Sequence, residues 1–304
     1  MKVKKTIRRI LDELPYVKAL KQENFNLKRN SYWEPGHFYS SVISIDDIKK
    51  RQSHIWKNIE ADGIPGIDLQ TNKQIELLNS LAVFYKDLPF DAVGDYKTRY
   101  NFKNDYYSYT DGIVLYSMIR HFHPQRIIEI GSGFSSAVMM DTNELFFDNK
   151  IHLTFIEPFP ERLNTLLTEK DKMQNLIIPS DVQLISLNEF KKLRAGDILF
   201  VDSTHVVKTG SDVNYILFEI LPVLESGVLI HFHDVFYPFE YPKEWVFKGR
   251  NWNEVYFLKA FLMYNKQFEI RLFSHYLHQH HKEVFREMPL SYQNIGGNLW
   301  IEKI

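Results

Sequence analysis

The sequence contains no cysteine. That excludes disulfides, thiolate nucleophiles and Cys-ligated zinc or iron–sulfur centres. It has no apolar run long enough to cross a bilayer as a helix. Its first residues lack the apolar core of a secretory signal, so the cytoplasm is the expected location. An excess of one charge is missing too: 37 Lys and Arg against 38 Asp and Glu give a net charge of −1. No overall field then draws the chain to nucleic acid, and no nucleic-acid partner is expected. There are no internal repeats and no Ser/Gly-rich linkers. Glycine is sparse, 13 in 304 residues, so the pair Gly131 and Gly133 stands out.

That pair lies in Arg126 to Ser136, RIIEIGSGFSS. Ile127, Ile128 and Ile130 form a β-branched run that reads as a buried strand. Gly131, Ser132 and Gly133 follow, and from Phe134 onward small residues such as Ser135 open an apparent helix. A strand that turns through glycines into a helix exposes bare backbone and unpaired N–H groups to a ligand. Glu129 stands where strand and ligand meet. A carboxylate suits a cationic group better than a pyrophosphate, which favours S-adenosylmethionine (SAM) over a dinucleotide. The dinucleotide fingerprint also wants a third glycine where this chain has Ser136. A nucleotide site and a purely structural turn stay open at this point.

After His123-Pro124 strand and helix patterns alternate. Strands are expected at Arg126–Ile130, His152–Ile156, 182–185, 197–201, 227–232, Phe268–Phe273 and 298–301. Alternating β and α implies a parallel sheet covered on both faces, with ligands at the carboxyl ends of its strands. Before that region, helices are expected near 46–59, 71–85 and 111–121, the last with Asp111 as N-cap. Residues 1–30 are basic, with Ile7, Ile10, Leu11 and Leu14 at helical spacing. A packed, solvated helix is one reading, and a membrane-surface or partner helix the other.

The strand ends carry the chemistry. Glu157 ends the second strand, where an acid accepts the two hydroxyls of a ribose. Ser186 and Leu187 follow the expected third strand, where an adenine fits. Asp202 ends the fourth strand and His205 follows. His233 and Asp234 end the fifth. Two carboxylates at neighbouring strand ends can hold a divalent cation, and histidine also ligates metals. Structural roles remain for each: a loop-capping Asp202, a core His233. The histidines of SHYLHQHH (275, 278, 280 and 281) read as a polar surface or as a second metal site. Tyr106, Tyr107 and Tyr109 read as a cofactor lid or as packing. The aromatic segment holding Trp33 and His37 reads as acceptor side or as buttress.

Taken together, residues 100–304 resemble a class I SAM-dependent methyltransferase. EIGSGFSS is similar to its first motif and IEP to its ribose-binding acid. FVDSTH and LIHFHDV are similar to its fourth and fifth strands, and GGNLWIEKI to its last. The resemblance implies an α/β, doubly wound (Rossmann-like), mostly parallel seven-stranded sheet with an antiparallel last strand. Residues 101–304 would be the methyltransferase domain, and 1–100 a helical and irregular extension on the acceptor side. Cofactor contacts would come from Glu129, Gly131, Ser132, Gly133, Phe134, Ser135, Glu157, Ser186 and Leu187. A side chain at Gly131 would fill cofactor space.

Within the class, the D-x-x-H and H-D pairs resemble metal-dependent sugar O-methyltransferases of bacterial natural-product pathways. That implies SAM plus magnesium or another divalent cation. Asp202 and Asp234 would be ligands and His205 the base, a neutral imidazole at physiological pH. The chain departs at His233, where an acidic ligand is expected. His233 then ligates a different ion, ligates weakly, or serves as an acid/base. The implied reaction is methyl transfer to a hydroxyl of a sugar or other small molecule. A catalytically idle SAM-binding scaffold and a nucleotide-dependent oxidoreductase are the competing functions.

Overall fold

The β-branched runs after Pro124 become one seven-stranded sheet, in a computed structural model that describes residues 11–57, 61–91 and 98–304. The strands are β1 Arg126–Ile130, β2 His152–Ile156, β3 Leu176–Ile178, β4 Ile198–Val201, β5 Leu229–His233, β6 Phe268–Phe273 and β7 Asn298–Lys303. Their order is β3-β2-β1-β4-β5-β7-β6, with β7 antiparallel to both neighbours and the other pairs parallel. The order reverses between β1 and β4, which opens a crevice at their carboxyl ends. Register aligns those ends: Ile130 lies beside Ile156 on one side and Val201 on the other. β4 and β5 are buried along their whole length, as strands covered on both faces are.

The third strand is not where its sequence suggested. Val182–Leu184 forms a 3₁₀ turn, and the strand is the three-residue Leu176–Ile178. An edge strand of three residues offers too short a pattern to read. The carboxyl end of the third strand therefore shifts to Ser180–Gln183.

The chain divides into two units. The first comprises residues up to Lys57 together with Lys243–Asn251. It holds helices α1 Pro15–Asn30 and α2 Ile45–Ile55 and the short helix Lys243–Phe247. Ser44 caps α2 by accepting from the Asp47 N–H, and Asp46 and Asp47 complement the helix dipole there. Trp56 packs edge-on against Phe247, and the Ile43 N–H donates to Asn251. In the aromatic segment, the rings of Trp33 and His37 stack at 4.3 Å. Residues 1–10, with the basic run and with Ile7 and Ile10, lie outside the described residues.

The second unit carries the sheet. Helix α3, Thr71–Ala82, buries Gln74, Leu77, Leu78 and Leu81. The Gln74 amide is satisfied inside: it donates to the Leu69 carbonyl and accepts from the Phe273 N–H of β6. Helix α4, Thr110–Phe122, is buried through its first ten residues. Asp111 is not its N-cap. It sits inside the first turn and accepts from the Gly297 N–H and Asn298 Nδ2, tying α4 to the start of β7. Among the described residues no helix is long and apolar enough to cross a membrane.

Arg99 joins two helices. Its guanidinium makes a fork on Asp171 (2.6 and 3.0 Å) and reaches Asp141 (2.6 Å) and Glu144 (2.8 Å). Asp141 and Glu144 belong to helix α5, Phe134–Phe147, and Asp171 to the turn of helix before β3. Asp141 and Asp171 are almost fully buried, so removing the cation strands two carboxylates. Arg99→Ala is expected to lower stability by about 3–5 kcal/mol, and Arg99→Lys to recover only part, since an ammonium cannot make the fork. Denaturant unfolding measures both, and an unchanged Arg99→Ala midpoint would show that the cluster contributes nothing.

Candidate active site

The glycine turn is built by close approach of three strand ends. Gly131 has φ +81°, in the region that favours glycine, and a Cβ there would lie 1.9 Å from the Asp202 carbonyl oxygen. The Gly131 N–H donates to the Ile156 carbonyl and the Asp202 N–H to the Ile130 carbonyl. A side chain at 131 thus strikes the end of β4 before it reaches any ligand, which corrects the reason expected for this glycine. Gly133 opens α5, and its N–H donates to Ser136 Oγ.

Glu129 points into the fold. It is completely buried, and its two carboxylate oxygens accept from the hydroxyls of Ser135 (2.5 Å) and Ser136. It braces the first turn of α5. Burial pushes its pKa up to about 8, against the pull of the serine hydrogen bonds and with help from Asp202. Ser135 is buried with it. Phe134 stays part-exposed, and its ring stacks on Tyr106 at 6.1 Å. The Arg162 guanidinium lies over the Tyr106 ring at 3.9 Å. Tyr107 is instead buried against Phe200 and His233, and Tyr109 stacks on Phe102.

A cleft of about 320 Å³ opens at the carboxyl ends of β1, β2 and β4. Gly131, Glu157, Asp202 and Ser203 line it, with Asp181, Val182 and Gln183 from the loop after β3. Glu157 is poised there by two backbone N–H groups, Ser132 on one oxygen (3.0 Å) and Phe159 on the other (2.8 Å). Ser186 and Leu187 do not line the cleft. Ser186 instead caps the next short helix, because the strand they were thought to follow is a turn. Asp181–Gln183 line that side of the cleft instead.

Asp202, His205, His233 and Asp234 do come together. His205 Nε2 lies 3.4 Å from Asp202 and 3.7 Å from Asp234, and His233 Nε2 lies 3.5 Å from Asp234. A fifth member was missed. Glu254, at the start of helix α6 Glu254–Leu262, places Oε2 2.8 Å from His205 Nδ1 and takes a hydrogen bond from Ser203 on Oε1. The Asn253 and Glu254 N–H groups donate to the His205 carbonyl. Trp252, just before them, covers the His205 ring at 4.3 Å. Burial alone would lower the His205 pKa, but Asp202 and Glu254 outweigh it and hold the ring well above the usual imidazole range. The neutral base expected from sequence is therefore a cation at rest. Asp202, despite its own burial, is held below the usual carboxylate range by His233 and His205.

Two expected metal groupings do not form. Among the described residues no cluster of three His, Asp or Glu side chains is arranged to hold an ion. Asp202 and Asp234 turn to the His205 ring, and His233 reaches Asp234 alone. The 275–281 histidines diverge: His275 accepts from the Tyr237 N–H, His278 stacks on Phe285 beside Thr110, and His281 meets Tyr276. Burial lowers His275 to about 4 and His278 to about 3, so both are neutral packing groups.

The protonated Glu129 has a testable signature. The folded chain keeps this proton up to about pH 8, while an unfolded chain releases it from about 4.5. Between those values the unfolded state binds fewer protons, so stability falls as pH rises. Thermal melts across that window should decline more steeply for the native chain than for Glu129→Gln. Parallel declines would mean that Glu129 is ionised in the fold.

Comparison with known proteins agrees with this layout. A family model described as a methyltransferase domain matches residues 128–235. An uncharacterised protein of Archaeoglobus fulgidus is 30% identical over 153 residues, which are 50% of this chain and 69% of that protein. Among solved structures, SAH-bound PaMTH1 of Podospora anserina is 17% identical, with 85% of this chain and 96% of that chain covered and a TM-score of 0.41. The O-methyltransferase TomG of Streptomyces achromogenes, in complex with SAM, is 14% identical over 76% and 89%, with a TM-score of 0.41. CmcI with Mg and SAM is 15% identical over 64% and 71%, with a TM-score of 0.39. The family match runs from β1 to β5, the part of the sheet that builds the cleft, and marks that part of the chain as a methyltransferase domain.

Proposed function

We propose that the chain transfers a methyl group from SAM to a hydroxyl oxygen of a sugar. The observation that carries this reading is the single cleft in which the Gly131 turn, Glu157 and Asp202 meet at adjacent strand ends. Glu157 accepts the ribose hydroxyls, and the loop Asp181–Gln183 takes the adenine. Arg162 supplies the cation for the methionine carboxylate. Its side chain passes about 3.1 Å from where a Gly133 Cβ would stand, and its guanidinium is held on Tyr106. In a cleft this rich in acids, that carboxylate needs such a partner.

The reaction is an in-line displacement at a carbon activated by the sulfonium, so the protein's part is alignment and removal of the acceptor's proton. An unactivated alcohol holds that proton tightly. The dense charge at Asp202, His205, His233 and Asp234 supports such an acceptor better than it would a phenol. His205 is the proton acceptor once it has released its own resting proton, and turnover should therefore rise with pH through a value above the usual imidazole range. An idle scaffold would have no use for this cluster.

Calorimetry should detect S-adenosylhomocysteine binding by the native chain, and its absence from folded protein would end this reading. Glu157→Ala should weaken that binding by about 1–3 kcal/mol through lost charged hydrogen bonds. Arg162→Ala should weaken S-adenosylhomocysteine yet leave 5′-methylthioadenosine, which lacks the carboxylate, unaffected. Equal losses for both ligands would remove Arg162 from the site. Labelled SAM offered with sugar, nucleotide-sugar and phenol pools would identify the acceptor. On that acceptor His205→Ala should lose about 10²–10⁴-fold in turnover with cofactor affinity retained.

A further inference from the structure

The resemblance to metal-dependent enzymes predicts a divalent ion between Asp202 and Asp234, and the donor set does not fit one. The position is taken by His205. Its Nε2 faces Asp202 Oδ1 at 3.4 Å and Asp234 Oδ2 at 3.7 Å, while its Nδ1 faces Glu254 Oε2 at 2.8 Å. A ring nitrogen turned to a carboxylate carries a proton, since a lone pair there would be repelled. Both nitrogens of His205 are so turned, so the resting ring is a positive charge lodged among three acids. Glu254 keeps it there. This carboxylate is 2% exposed, and its other oxygen is occupied by Ser203 Oγ at 2.9 Å. The backbone of the same turn is stitched to the His205 carbonyl, so ring and anchor are held at both ends.

We propose that His205, positioned by Glu254, stands in for the divalent cation of this site, and that Glu254 is the positioning residue that keeps metal out. Asp202 and Asp234 then have their charge met by an imidazolium, and no ion is needed to hold them together. Nothing in the 49-residue separation of His205 and Glu254 announces this pair in the sequence. The inference rests on the methyl-transfer reading only for the choice of site.

Mn(II) titration followed by electron paramagnetic resonance tests it without SAM or acceptor, so its failure leaves the methyl-transfer reading standing. The full chain should take up Mn(II) weakly, and His205→Ala should bind it about 10–100-fold more tightly, a gain lost again in His205→Ala/Asp234→Asn. Glu254→Gln, which keeps shape and hydrogen bonding, should show part of the gain, and covers the case in which His205→Ala does not fold. Nitrogen NMR of His205 should show both ring nitrogens protonated in the native chain and the pattern altered in Glu254→Gln. Tight Mn(II) binding by the native chain that Asp202→Asn abolishes would overturn the proposal. So would a His205→Ala or Glu254→Gln chain that folds and gains no affinity.

Discussion

The contact on which the rest of the site depends is the approach of β4 to the Gly131 turn. No Cβ fits between Gly131 and the Asp202 carbonyl, and the backbone bonds Asp202–Ile130 and Gly131–Ile156 fasten three strands at one level. That closeness fixes how far Glu157 lies from Asp202. Glu129 supports it from below. Accepting from the hydroxyls of Ser135 and Ser136, it fastens the first turn of α5 to the end of β1.

Charge is organised in layers around that point. Arg99 neutralises Asp141 and Asp171 away from the cleft, and His205 meets Asp202 and Asp234 beside it. In each case a single delocalised cation serves several carboxylates. A planar cation with donors pointing in several directions satisfies such a cluster with less desolvation than separate ion pairs would.

Much of this was legible because it is local. Gly131 and Gly133 beside an isoleucine run, Glu157 before Pro158, and Asp202 with His205 three residues on are patterns within a few positions of each other. Parallel pairing then places their strand ends together by topology alone. What failed was of two kinds. Short edge elements gave no period, so β3 and with it Ser186 and Leu187 were misplaced. Partners supplied from far along the chain were invisible, and these decide chemistry. Glu254 reverses the charge state expected of His205, and Ser135 and Ser136 occupy both oxygens of Glu129. An acid opening a helix straight after Trp252-Asn253 reads as an ordinary dipole-complementing residue, and only its burial reveals otherwise.

His205 and Asp234 share one more property: both have left-handed backbone, with φ of +59° and +56°. Such a conformation costs a side-chain-bearing residue roughly 1–2 kcal/mol and is comfortable for glycine or asparagine. The cluster is therefore one of the places where the fold bears backbone strain. A search for more heat-resistant variants, blind to chemistry, would be drawn to these two positions early. It would deliver sturdier proteins with a neutralised cluster beside the cleft.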